Sequence, residues 1–154
     1  MAHDIESRLK TLGITLPTPA APAATYVPTV TSGNLLFVSG QVPMTQAGIQ
    51  FVGKVGREFS IDEGREAAKI CAINILANIK AAIGDLGRIN RFVKVVGFVN
   101  AVPDFTEAHK VINGASDFIV EILGEKGRHA RSAIGVGTLP LGTAVEVEAI
   151  VEIV

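Results

Sequence analysis

The sequence predicts an α+β domain in which two main helices share one face of a mixed β-sheet. A capped, apolar-striped helix lies in residues 60–87, a second helical stretch runs from Pro103 to about Leu123, and β-prone runs precede, separate and follow them. The element order is ββ(β)αβαββ, which gives an α+β domain. A chain of 154 residues, 48% hydrophobic and with no Trp, can bury a core of Val, Ile, Leu and Ala without a staple.

At the amino end, "HDIESRLKTLG" offers Asp4 as N-cap, Ile5, Leu9 and Leu12 at helical spacing, and Gly13 as a stop. The Pro/Ala-rich "ITLPTPAAPAAT" then reads as an extended connector laid over a surface. Residues 1–25 form a helix and connector packed on the domain proper, residues 26–154. Two β-prone runs flank Ser32-Gly33-Asn34, a turn signal that predicts a hairpin, and "GIQFVGKVG" offers a further strand. In the first long helix Ser60 and Glu63 make a capping box, Asp62 adds negative charge to the first turn, and Ala68, Cys71, Ile75, Ile79 and Ile83 line one stripe. "FVKVVGFVNA" is a strand; Pro103-Asp104 opens the second helix, which Asn113-Gly114 could bend and Gly124 closes.

Two strands finish the chain, one over Ser132–Thr138 and one in "AVEVEAIVEIV", and the turn-like Leu139–Gly142 between them predicts a hairpin. Alternation puts Arg131, Ala133, Gly135 and Gly137 on one face, so the arginine stands beside an almost bare floor. Val145, Val147, Ala149, Val151 and Ile153 form an apolar face, with Glu146, Glu148 and Glu152 opposite. A four-residue loop would place the glutamates on the face of Arg131, with Arg131 and Glu146 roughly 13 Å apart, and a loop one residue shorter or longer would reverse this. Either the two hold opposite ends of one bound molecule, or each finds its partner in a neighbouring subunit.

A formal charge of −1 supplies no basic excess, so nucleic acid is not an expected partner. The single Cys71 forms no internal disulfide and fits a packing role in a reducing compartment. The charged "MAHDIESRLK" does not suit a signal peptide and no apolar run is long enough to span a bilayer, so a cytoplasmic protein without membrane association is expected. His3, His109 and His129 have no metal-ligand spacing, and no phosphate loop is present, so neither metal nor cofactor is expected.

"RSAIGVGTLPLGTAVEVEAIVEI", with "GNLLFVSGQVP" and "FVKVVGFVNAVPDF", resembles the RidA/YjgF family from about Tyr26 onward. The resemblance implies a chorismate-mutase-like fold, a homotrimer with clefts between subunits that would cover a leftover apolar strand face, and hydrolysis of small reactive enamine or imine acids to 2-oxo acids and ammonia. By the same resemblance Arg131 binds the substrate carboxylate and Glu146 positions or activates water. Tyr26, Ser39, Gly40 and Asn113 border the cleft, and Ala133 stands where many deaminating members have a cysteine. A guanidinium suits that task because its planar fork grips a carboxylate through two parallel hydrogen bonds. The longer segment between Phe105 and Arg131 and the extra leading helix mark a long subgroup.

Each residue also has a plainer reading. Arg131 could be an edge charge or an interface ion pair, Glu146 part of a solvated strand face, Tyr26 simple packing, and His129 a surface histidine rather than a group that tunes the cleft. Three functions follow: an imine or enamine hydrolase, a non-catalytic binder of a small carboxylate metabolite using the same cleft, and an endoribonuclease, which the charge balance favours least.

Overall fold

A computed structural model describes residues 2–22 and 24–154, with the side chain of His3 outside the described part. Helix α1 (Ala2–Thr11) buries Ile5 and Leu9. Asp4 lies inside it and pairs with Arg8 at 2.9 Å rather than capping it, and Leu12 is exposed. Residues 14–22 then run without regular structure.

Strands β1 (Thr29–Ser32) and β2 (Leu35–Gln41) form the expected hairpin, turning at Gly33, whose φ of 61° suits a residue without Cβ. The strand expected in 48–56 is reduced to a two-residue ladder between β3 (Met44–Thr45) and β4 (Gly48–Ile49), followed by single bridges at Val52 and Val55. Helix α2 (Ile61–Ile83) opens on the reciprocal Ser60–Glu63 capping box and buries Ala68, Cys71, Ile75 and Ile79. Burial pushes the Cys71 thiol well up, and a nearby Glu146 charge adds to the shift, so it stays an inert packing group.

Strand β5 (Ile89–Asn100) leads to helix α3 (Ala108–Leu123), which begins five residues later than Pro103 suggested because Pro103-Asp104 form a turn and residues 105–107 run without regular structure. The helix runs unbroken through Asn113-Gly114. Gly114 is instead where α2 and α3 touch: a Cβ there would stand 2.1 Å from the Arg65 carbonyl oxygen. Strand β6 (Ala130–Val136) and strand β7 (Val145–Ile153) complete the chain.

The expected hairpin between the last two strands is absent. The five-stranded sheet has the order β1-β2-β7-β5-β6, with β7 antiparallel to both β2 and β5, and β6 parallel to β5 at the far edge. Parallel pairing needs a long crossover, which α3 supplies, and the turn-like residues 137–144 carry the chain past β5 instead of doubling it back. Lys54 pins that passage, its ammonium donating to Asn100 Oδ1 at 2.6 Å and to the Gly137 carbonyl at 2.5 Å.

The core lies between the sheet and the helices, where α2 and α3 pack on one face against Val95, Val99, Val147 and Val151. The apolar face of β7 is therefore internal, not left over. The uncovered face carries the glutamates, together with exposed Val30, Phe37 and Ile134 and half-buried Val96, Phe98 and Ile150.

Candidate functional site

The pairing Phe98↔Glu146 sets Glu146 on the uncovered face, whereas Val95↔Arg131 sets Arg131 on the helix-covered face at the sheet edge. Within one chain the two thus occupy opposite faces, contrary to the shared face that a β6–β7 hairpin would have given.

Glu146 looks into a hollow of about 660 Å³ that runs beside the end of β2. The pairing of β2 with β7 slips between Val38 and Gln41, and in that irregularity Gly40 passes under the Glu146 carboxyl. Tyr26, 59% exposed, lines the same hollow, as do residues 17–22 of the connector. Ser39 does not present a free hydroxyl proton; its Oγ donates to the Val27 carbonyl at 2.7 Å and ties the Tyr26–Val27 segment to β2. Burial, and then the charge of Glu148 next along the face, push the Glu146 carboxyl above the usual carboxylate range. A carboxyl so placed exchanges protons more readily near neutrality than a fully solvated one.

Arg131 reaches the polar side of α3. Its Nη1 donates to Asn113 Oδ1 at 2.8 Å and to Ser116 Oγ at 3.1 Å, and Nη2 donates to the His109 carbonyl at 3.4 Å. All three acceptors are neutral, and Arg131 forms no ion pair among the described residues, so its charge is positioned but not cancelled. Behind it stands His129, whose Nδ1 lies 2.6 Å from the Gly127 carbonyl and Nε2 2.9 Å from Ser116 Oγ. A carbonyl can only accept, so Nδ1 carries the proton and Nε2 takes the Ser116 hydroxyl proton, leaving Ser116 Oγ to accept from Arg131. Burial, and the Arg131 charge after it, lower the His129 pKa and hold the ring neutral; the Gly127 hydrogen bond opposes this in part. Along β6 from Arg131, Ala133 packs partly on the core and nothing lies within 4 Å of a Cβ built on Gly135, so the floor beside the guanidinium is open.

Residues 6–153 match the family described as "YjgF/chorismate mutase-like, putative endoribonuclease". The chain belongs to the YjgF/RidA family. Protein TCP17 of Trypanosoma cruzi is 49% identical over 150 residues, covering 97% of this chain and 94% of that protein. The crystal structure of Atu1372 from Agrobacterium tumefaciens, a protein described as of unknown function, is 52% identical with a TM-score of 0.93, covering 99% of this chain and 94% of the other. RidA from an Antarctic Psychrobacter is 28% identical with a TM-score of 0.62, covering 88% and 94%.

For a YjgF/RidA chain, the expected site residues fall into two groups. Tyr26, Gly40 and Glu146 line one hollow with Ser39 as its fastener; Arg131 and Asn113 are bonded to each other elsewhere, with Ala133 further along the same strand. The sequence offered His129 as a surface histidine or a group that tunes the cleft, but Ser116, which links it to Arg131, was missed although it lies one turn beyond Asn113. Asn74 and Asn78, which line the hollow from α2, were missed as well. Among the described residues no three or more His, Cys, Asp or Glu side chains group as metal ligands, and no helix is long and apolar enough to cross a membrane.

Proposed function

We propose that the protein hydrolyses small enamine and imine acids to 2-oxo acids and ammonia, in clefts that a homotrimer closes between subunits. The observation that carries this reading is the Arg131 guanidinium held by neutral acceptors and left without a carboxylate. A substrate carboxylate would complete it with two parallel hydrogen bonds.

In the reaction an enamine first tautomerises to the imine. Water adds to the imine carbon, forming the C–O bond while the C=N π pair becomes a lone pair on nitrogen. Glu146 takes the proton from the attacking water and returns it to nitrogen, giving a carbinolamine; it then takes the proton of the new hydroxyl and passes it to nitrogen as the C–N bond breaks, so ammonia leaves with the bonding pair and the carbonyl forms. A carboxyl whose pKa is raised by burial suits both transfers. Because Arg131 and Glu146 lie on opposite faces of one sheet, the cleft would join Arg131 of one subunit to Glu146 of its neighbour. The apolar residues on the uncovered face, Val30, Phe37 and Ile134, support burial of that face in an assembly.

The second reading, a carboxylate binder without turnover, is favoured by Ala133, which supplies no thiol beside Arg131. The endoribonuclease in the family description fits less well, since a net charge of −1, one Tyr and no Trp give little to hold phosphates or stack bases. The test is release of ammonia and 2-oxo acid from imines generated in situ by an amino-acid oxidase, comparing the wild type with Arg131→Ala. Arginine-dependent acceleration supports the hydrolase. Equal rates with and without the guanidinium, in a folded protein, would sink it.

A further inference from the structure

Asn74 and Asn78 stand four residues apart on α2 and both line the hollow that Glu146 enters. They are deeply buried, with 7% and 6% of their surface exposed. Asn74 Nδ2 donates to the carbonyls of Val42 and Met44, both at 3.0 Å, and Asn78 Nδ2 donates to the Asn74 carbonyl at 2.9 Å. Every partner is a carbonyl oxygen, which only accepts, so the nitrogen end of each amide is fixed by chemistry. The two amide oxygens therefore point away from these partners, and no donor among the described residues satisfies them. No described side-chain nitrogen or oxygen is both fully sealed and unpartnered, so these oxygens open on the hollow rather than into packed core.

The wall around them carries Thr18, Tyr26, Thr45 and Gln46, whose hydroxyls and amide can both donate and accept, beside groups that offer a ligand acceptors only. Gln41 spends its amide nitrogen on the Ser39 carbonyl at 3.1 Å, and Pro17, Pro19, Pro22, Pro28 and Pro140 contribute no backbone N–H. Glu146 adds a carboxyl. At about 660 Å³ the hollow far exceeds what a two- or three-carbon acid would fill.

We propose that this hollow receives the substrate's side chain and selects one ending in N–H donors, an ammonium, guanidinium or carboxamide, with Asn78 as the specificity-determining residue. The assignment of the ligand as a substrate rests on the imine-hydrolase reading. The donor preference does not, because it follows from the unpaired amide oxygens.

Two measurements separate these ideas. The first compares kcat/KM for imines made in situ from L-arginine, L-lysine and L-glutamine with those made from L-norleucine and L-methionine, in the wild type, Asn78→Leu and Asn78→Asp. The donor-bearing imines should lead by about tenfold, since a buried acceptor left unpaired beside an apolar chain is costly. Asn78→Leu should collapse that ratio and Asn78→Asp should restore it for arginine and lysine. The second compares the thermal shift of the full chain with L-arginine and with L-norleucine at equal millimolar concentration; arginine should stabilise the wild type more and lose its advantage in Asn78→Leu.

Apolar imines hydrolysed as fast as donor-bearing ones overturn the pocket and leave the hydrolase standing. Absent turnover with an Asn78-dependent arginine shift removes the hydrolase and keeps the pocket. Equal shifts for arginine and norleucine overturn the pocket whatever the turnover. If Asn78→Leu does not fold, the wild-type ratio and Asn78→Asp decide.

Discussion

Gly40 lies directly beneath Glu146: a Cβ on residue 40 would stand 2.2 Å from Glu146 Oε1 and 3.0 Å from its Cδ. The clash is with the mobile end of a side chain, so Gly40→Ala should fold with a stability change of about 1 kcal/mol or less while swinging the carboxyl aside. Imine hydrolysis should fall at least about tenfold, since a displacement of this order removes a general base from reach. Rates beside thermal melts check it; an unstable but equally active variant would contradict the positioning.

Glu146 should also cost the fold stability at neutral pH. Its folded pKa is raised above the ordinary 4.5, first by burial and then by Glu148. The neutral acid is thus the form the fold prefers, and that stabilisation is present below the ordinary value and is lost as pH rises through the raised one. Glu146→Gln should therefore melt a few degrees higher than the wild type at pH 7, with the gap closing near pH 4. Paired melts at the two pH values test this.

Ser116 and His129 form the seat of Arg131, and both act through it. Ser116→Ala should raise KM for an imino acid about three- to tenfold with a smaller change in kcat, and Ser116→Thr should recover most of it. His129 has a lowered folded pKa, with burial the main cause and Arg131 a further one, so its contribution to stability is full above the ordinary 6.5 and is lost as pH falls through the depressed value. His129→Gln should remove that acid-side loss in a pH series of melts.

Gly114→Ala should be the most damaging of these changes, because its Cβ would meet the Arg65 backbone 2.1 Å away, a group that cannot swing clear. Forcing α2 and α3 apart should cost about 2–4 kcal/mol in denaturant unfolding. Gly135→Ala, with open space around its Cβ, should stay within about 0.5 kcal/mol of wild type.

What could be read from the sequence was local. Ser60 and Glu63 announce the start of α2 because a capping box is made by neighbours, and Gly33 announces its turn for the same reason. Arg131 stood out because a charge opens a run of small apolar residues. The strand order was not legible: residues 139–142 carry turn chemistry, with Leu141 and Gly142 both at positive φ, but local chemistry does not say which strand the chain meets next. That one error put Arg131 and Glu146 on a shared face. Asn74 and Asn78 were hidden for the opposite reason: four apart on a helix, they look like polar positions facing water, and only in the fold do the connector and the Val42–Met44 segment come to lie against them.

The order of synthesis gives the β7 position a further meaning. β2 and β5 flank a gap that only residues 145–153 fill. While the ribosome is still working through α3 and β6, each of those strands keeps a bare edge of unpaired backbone groups, and the helices have only a partial sheet to dock on. The nascent chain must wait for its last strand before the sheet closes, so this protein should depend on holding chaperones during translation more than a meander of the same size, and losing β7 should leave the remaining strands prone to aggregate rather than merely less stable.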